Sequence, residues 1–310
     1  MQPEITHVVA ASTAISVAYT NRQMIADEIF PVVPVEELQG KYFRYSKQMF
    51  RTQAAAGGPG SFPRMFTLDQ NAFGFYNCQK NELAIELPDE VRNHSDDKAA
   101  LDLLHQNTIL GIMAIIKEQE AINLINTANI TQNATLAGTA KWSDYDNSDP
   151  LTAMMTQMET IQQSIGVPTS QMRLLLPRPV FRTVIRNPQV REDIKYTQNI
   201  MDKPITAQNL ANALEIEKVI VAENLILTNN EGQTDSLSYM WGNIALLYFH
   251  TGAPSKLTPN FSYNFRSTPD SYPIKRYRLE GTDSDHFKSK EWRQLVIVEP
   301  NAAYLWNTPM

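Results

Sequence analysis

Ser95 to Thr127 reads SDDKAALDLLHQNTILGIMAIIKEQEAINLINT, and the architecture turns on this stretch. Ser95 is placed to cap a helix. Asp96 and Asp97 then put negative charge in the first turn, where the helix dipole favours it. No proline interrupts the run. Leu101, Leu104, Thr108, Ile112, Ile115 and Ile122 recur at three- and four-residue steps, as one helix face requires. Leu103, Ile109, Met113, Ile116 and Leu124 widen the apolar surface. At 1.5 Å per residue such a helix is roughly 45 Å long, well beyond the mean of about three turns. A rod this long and this apolar needs contacts along its length, from a sheet of its own chain or from neighbouring chains. The pattern places Ile112 and Ile115 among the residues that hold the fold.

Upstream, residues 1–39 read as an arm. Asn21–Phe30 can form a short helix, and Pro31 and Pro34 force an extended PVVPV segment after it. Apolar side chains without an evident partner suggest that the arm docks on another chain. Residues 40–87 read as a long two-stranded ribbon. An aromatic strand from Lys41 to Arg51 leads to the tip TQAAAGGPGSFPR, and Phe66–Leu87 returns. A ribbon of this kind is marginal alone in water.

Charge is uneven here. Lys41, Arg44, Lys47, Arg51 and Arg64 face no acid between Lys41 and Leu68. Glu82, Glu86, Asp89, Glu90, Asp96, Asp97 and Asp102 then follow, against only Arg92 and Lys98. Chance clustering on a solvated surface is the plain reading. The sharper one sets the basic ribbon of one copy over the acidic base of the next. That makes Lys41, Arg44, Lys47, Arg51, Arg64, Glu82, Glu86, Asp89, Glu90, Asp96 and Asp97 candidate contacts between subunits, with complementary patches setting register more than affinity.

Downstream, Asp144–Asp149 resembles the front of a calcium loop. Asp149 stands where that loop needs glycine and Met155 where it needs a bidentate glutamate, so Asp149 is read as a helix cap with Pro150 in the first turn. Residues 150–227 alternate helix and strand as an α/β lobe. Its parts are a helix over Leu151–Ile165 with Met154, Met155, Met158, Ile161 and Ile165 inward, strands at Met172–Leu176 and Lys218–Ala222, and helices at Val180–Arg186 and Ala207–Leu214. After Pro254 the chain is strand-rich at Phe261–Phe265, Tyr272–Leu279 and Gln294–Val298, an antiparallel sheet suited to one side of the long helix.

The chain has 310 residues, 43% hydrophobic, with a net charge of −6. That suits a globular protein with two or three regions and argues against tight nucleic-acid binding, which uses a basic face. Cys78 is the sole cysteine and reads as a small buried side chain. The N-terminus lacks a basic signal region, and no window of eighteen residues is wholly apolar, so no membrane span is expected. The setting is a reducing cytosol or a particle assembled in one. There is no P-loop, no Gly-x-Ser-x-Gly elbow and no His-Glu-x-x-His motif. Asp283–His286 reads as a surface turn, and Glu118 and Glu120 do not share a helix face. No catalytic residue, cofactor or metal ligand is expected, and the chain is read as not an enzyme.

The order of parts, an arm, a long ribbon, a long helix, an α/β lobe and a returning sheet, resembles the HK97-like fold of tailed-phage major capsid proteins. The detailed likeness lies in Tyr19–Asn21 with Ile25–Val35, in Trp142–Pro150, in Val180–Pro188 with Ile194–Tyr196, and in Glu231–Leu237 with Trp241–Gly242. The resemblance implies an α+β protein with an N-arm (1–39), an extended β-hairpin E-loop (40–87) and a P-domain (88–149) carrying a spine helix at 95–127. An α/β A-domain (150–253), with its tip at the five- and six-fold axes, and a return to the P-domain (254–310) complete it.

It implies a coat protein that self-assembles as hexamers and pentamers around double-stranded DNA without sequence-specific binding. Scaffold, portal and decoration proteins would be partners, and the virion, assembled in host cytoplasm, its location. An encapsulin-like nanocompartment shell, which shares the fold, or an enzyme of unrecognised type are the alternatives. Some members carry a cleaved scaffolding segment before the arm; Met1 favours a chain without one. Some crosslink a ribbon lysine to a neighbour's asparagine; Lys41 and Lys47 are present, but no partner or catalytic acid is identifiable, so no crosslink is expected.

Overall fold

In the computed structural model, Lys98–Leu124 is one unbroken helix of 27 residues. The structure describes residues 24–44, 62, 65, 73–95, 97–198, 204–228, 236–256 and 260–310. The cap is Asp97, not Ser95: its carboxylate accepts from the backbone N–H groups of Ala99 and Ala100 at 3.1 and 3.0 Å. Asp96 lies outside the described residues.

The helix does not bury the face that its hydrophobic pattern picks out. Asp102, Gln106, Ile109, Met113, Ala114, Glu118 and Ala121 turn inward, while Leu104 and Ile112 remain 60% and 44% exposed. Burying a charge is costly unless it is paired, and the two buried acids are paired: Asp102 with Arg92 and Arg276, Glu118 with a set of N–H donors. Hydrophobic periodicity cannot register such partners, because they lie far away in sequence. By length and composition alone the helix would also suit a bilayer, but its two buried acids, Asp102 and Glu118, are met by groups of its own chain.

The strands, in chain order, are β1 (Val32–Val35), β2 (Gln39–Phe43), β3 (Phe73–Asn77), β4 (Gln79–Pro88), β5 (Gln132–Thr135), β6 (Met172–Pro177) and β7 (Lys218–Ala222). They continue as β8 (Leu225–Leu227), β9 (Leu237–Tyr239), β10 (Ile244–Phe249), β11 (Ser262–Ser267), β12 (Tyr272–Leu279), β13 (Ser284–Ile297) and β14 (Ala303–Asn307). The sheet under the long helix is built on β13, which pairs antiparallel with β4, β11 and β12, while β1 runs parallel to β11. Leu87, Ile109, Met113, Ile274 and Phe287 fill the space between helix and sheet.

Beside them Arg92 spans Asp102 and Asp285 at 2.9 and 3.2 Å, and Arg276 spans the same two acids at 3.4 and 2.5 Å. This closed ring of ion pairs joins the helix start to β12 and β13. Asp283–His286 is thus only partly a turn: Asp283 sits in it at positive φ, whereas Asp285 is a buried strand residue.

The α/β lobe is built as its punctuation indicates. Asp149 accepts from Leu151 N and Thr152 N with Pro150 in the first turn, and Gly166 closes the helix in the left-handed region at φ 72°. Met154, Met158, Ile161 and Ile165 are buried, while Met155 is exposed. The lobe's sheet has the order β5-β14-β10-β6-β7. Two segments expected beside the long helix therefore join the lobe: residues 132–135, and the C-terminal strand β14. They are held there by strand pairing to β10 and β14 and by aromatic packing, the ring centroids of Trp306 and Trp142 lying 5.6 Å apart with both side chains buried.

The ribbon is also shorter at its stem than the sequence suggests. Among the described residues the ribbon is the β2–β3 pair, and β4 belongs to the main sheet. Gly40 lies opposite Tyr76, and Gly74 opposite Tyr42. Each ring lies over its glycine, so a Cβ at Gly74 would fall 2.1 Å from Tyr42. The two rings then stack on Phe265 at 4.5 and 5.4 Å, fixing the stem to the sheet.

Two outcomes follow from this packing. Ile109→Asp places an unpaired charge under the helix and should cost more than about 3 kcal/mol. Ile112→Asp, on the open face, should stay within about 1 kcal/mol of the parent in urea unfolding.

In the lobe, Arg173 donates to both oxygens of Glu217 at 2.9 and 2.6 Å, and this holds the Glu217 carboxyl below its usual range. A lowered folded value gives stability that is complete above the unfolded carboxylate pKa of about 4.3 and is lost as pH falls through the folded value. Glu217→Gln should therefore flatten the acid limb of melting temperature against pH.

Candidate assembly surfaces

Glu118 lies at the meeting point of three regions. Its carboxylate is fully buried. It accepts from the backbone N–H of Ala26 at 2.8 Å and of Ile25 at 3.1 Å, from Asn224 Nδ2 at 2.8 Å and from Trp241 Nε1 at 2.7 Å. Two donors come from the opening of the arm's short helix, Ala26–Ile29, and two from the lobe. Burial pushes the carboxyl above the usual range, and the N–H groups of Ala26, Trp241 and Ile25 pull it back only in part.

Ion pairs brace the seat. Lys117 meets Asp27 at 2.6 Å and Lys218 meets Glu28 at 2.7 Å. Ser262 Oγ donates to Ile29 O at 2.7 Å. Residues 24–35 of the arm therefore dock on their own chain, where their donors and Phe30 find complements. Glu120 does face elsewhere, pairing with Arg293 at 3.0 Å. A donor-acceptor set of this kind leaves no signal in the sequence.

The proposed contact residues divide. Lys41 and Arg44 are exposed at the ribbon stem, with the Lys41 ammonium 5.6 Å over the Phe75 ring. Lys47, Arg51, Arg64 and Asp96 lie outside the described residues. Of the acids, Asp89 accepts both guanidinium arms of Arg278 at 3.1 and 2.7 Å, Glu82 pairs with Lys80 and Lys288, and Asp97 caps the long helix. These acids already have work within the chain. Glu86 and Glu90 are exposed.

Large apolar side chains also lie on the outside. Phe73 and Phe75 are 46% and 70% exposed on the outer face of the ribbon stem. Leu104, Thr108 and Ile112 form an exposed stripe along the long helix. Patches of this kind mark contact with other molecules. Among the described residues, no group of His, Cys, Asp or Glu is arranged to hold a metal ion.

An arm segment clamped on a long helix, a two-stranded ribbon stem, an antiparallel sheet under the helix and an α/β lobe beside it make up the HK97-like fold of phage capsid shells. The chain superposes on a phage-related protein from Bordetella bronchiseptica RB50 with a TM-score of 0.73 at 23% identity, covering 96% of this chain and 97% of the other. The capsid of cyanophage P-SCSP1u matches with a TM-score of 0.57 at 13% identity, over 92% and 88%. In sequence the chain is similar to the major capsid protein of Burkholderia phage BcepMu, 23% identical over 299 residues, which is 94% of each chain. No protein-family model matches.

Glu118→Gln keeps the side chain's size but sets an amide against donors that need an acceptor. It should cost about 1–3 kcal/mol, read by urea unfolding together with a red shift in tryptophan emission as Trp241 loosens.

Proposed function

We propose that the chain is the major capsid protein of a tailed phage. It assembles as hexamers and pentamers into an icosahedral shell around double-stranded DNA. The observation that carries this reading is the likeness to a phage major capsid protein along nearly the whole of both chains, joined to the capsid fold. The exposed ribbon stem and helix stripe supply apolar faces for neighbours, and Lys41 and Arg44 supply the basic side of a contact whose acidic side includes Glu86 and Glu90.

A net charge of −6 suits a wall that contains DNA without gripping it, since strong phosphate contact would need clustered Lys and Arg. Portal, scaffold and decoration proteins are the expected partners, and the virion, built in host cytoplasm, the location. The curated relatives are phage capsid proteins, which favours a genome-enclosing shell over a cargo nanocompartment.

The test is expression, alone and with candidate scaffold proteins, followed by size-exclusion chromatography and electron microscopy. Closed particles are expected; strictly monomeric protein under every condition would sink the reading. Arg44→Glu, Lys47→Glu and Arg51→Glu together should leave circular dichroism and melting unchanged and abolish particles. Unaltered assembly would remove the charged ribbon contact from the account.

A further inference from the structure

The β8–β9 hairpin forms a sheet of its own and presents its apolar side to the outside. Leu225 stands opposite Tyr239 and Leu227 opposite Leu237, so by the two-residue period of strands these four side chains share one face. They are 46%, 36%, 55% and 63% exposed in that order. Ile226 and Ser238, on the reverse side, are half-buried. Four large apolar side chains therefore point to solvent, while Ile226 and Ser238 point to the body. The ladder is extended by Met240 N donating to Asn224 O and Thr228 N to Ser236 O, both at 3.0 Å. Even so, a two-stranded hairpin is marginal in water unless something covers its apolar side.

We propose that this face is a contact between neighbouring copies of the chain. The inference rests on the shell reading above. The size of the patch selects the occupant. Covering four partly exposed side chains hides on the order of 350 Å² per copy, less than half of the ~800 Å² per partner that a stable independent complex requires. A separate binding protein would need a larger footprint. A second copy, already held through the ribbon and helix faces, needs only a supplementary patch. Among the described residues of the two strands, none in this face is charged.

The experiment uses Leu227→Cys in the full chain. Cys78 is the sole native cysteine, 2% exposed, with its thiol pushed up by burial, so a maleimide dye reports on position 227. Labelling should be fast in unassembled protein and roughly tenfold or more slower in purified particles, since thiol reactivity follows exposure. Equal rates in the two states would overturn the proposal, as would protection already present in unassembled protein, which would assign the cover to the chain itself.

Leu227→Ser with Leu237→Ser should keep the parent's melting temperature and lower particle yield; full yield would also overturn it. If Leu227→Cys folds but fails to assemble while the parent assembles, the contact is supported by that failure. Absence of particles from the parent chain is a separate result, and it removes the shell reading and this contact together.

Discussion

One buried carboxylate organises the molecule. Glu118 collects N–H groups from the arm, from Asn224 and from Trp241, so the arm, the long helix and the lobe are defined relative to one atom pair. A buried acceptor of this kind is directional in a way that apolar packing is not: moving any one region leaves a donor or an acceptor unpaired, at the full cost of its desolvation. The ring of Arg92, Asp102, Arg276 and Asp285 does the same near the helix start, locking the helix to β12 and β13. Between these two polar anchors the helix-sheet contact is ordinary hydrophobic packing.

Fixing the helix by its polar residues leaves much of its apolar surface outside. That apparent waste suits a protein whose remaining surface is completed by other copies. The ribbon stem repeats the logic: its inner face is spent on Phe265 through Tyr42 and Tyr76, and its outer face still carries Phe73 and Phe75. The chain therefore combines apolar cores with directional polar anchors inside and still carries exposed apolar side chains on the helix and the ribbon stem.

Several local features were legible in the residues alone. The Asp149-Pro150 start, the Gly166 stop, the helix at Ala207–Leu214 and the strand at Lys218–Ala222 stand where their local chemistry puts them. Caps, prolines and short apolar runs act within a few residues, so a linear reading captures them. The long helix was legible as an element and misread as a surface. Its periodicity named Leu104 and Ile112 as core, and they are exposed; it passed over Glu118, which is fully buried.

The sequence by itself determined that the chain has a long helix, an α/β lobe, the paired stem of a ribbon and a returning sheet, and that no local catalytic motif runs through it. Only the tertiary structure decided which helix face is inward, that β14 and β5 complete the lobe, that β4 leaves the ribbon for the main sheet, and that the arm segment after Ile25 seats on its own chain. The physical reason is separation. Glu118 meets partners 92 to 123 residues away in sequence, and pairing over such distances is set by where the backbone is carried, not by any pattern inside a window.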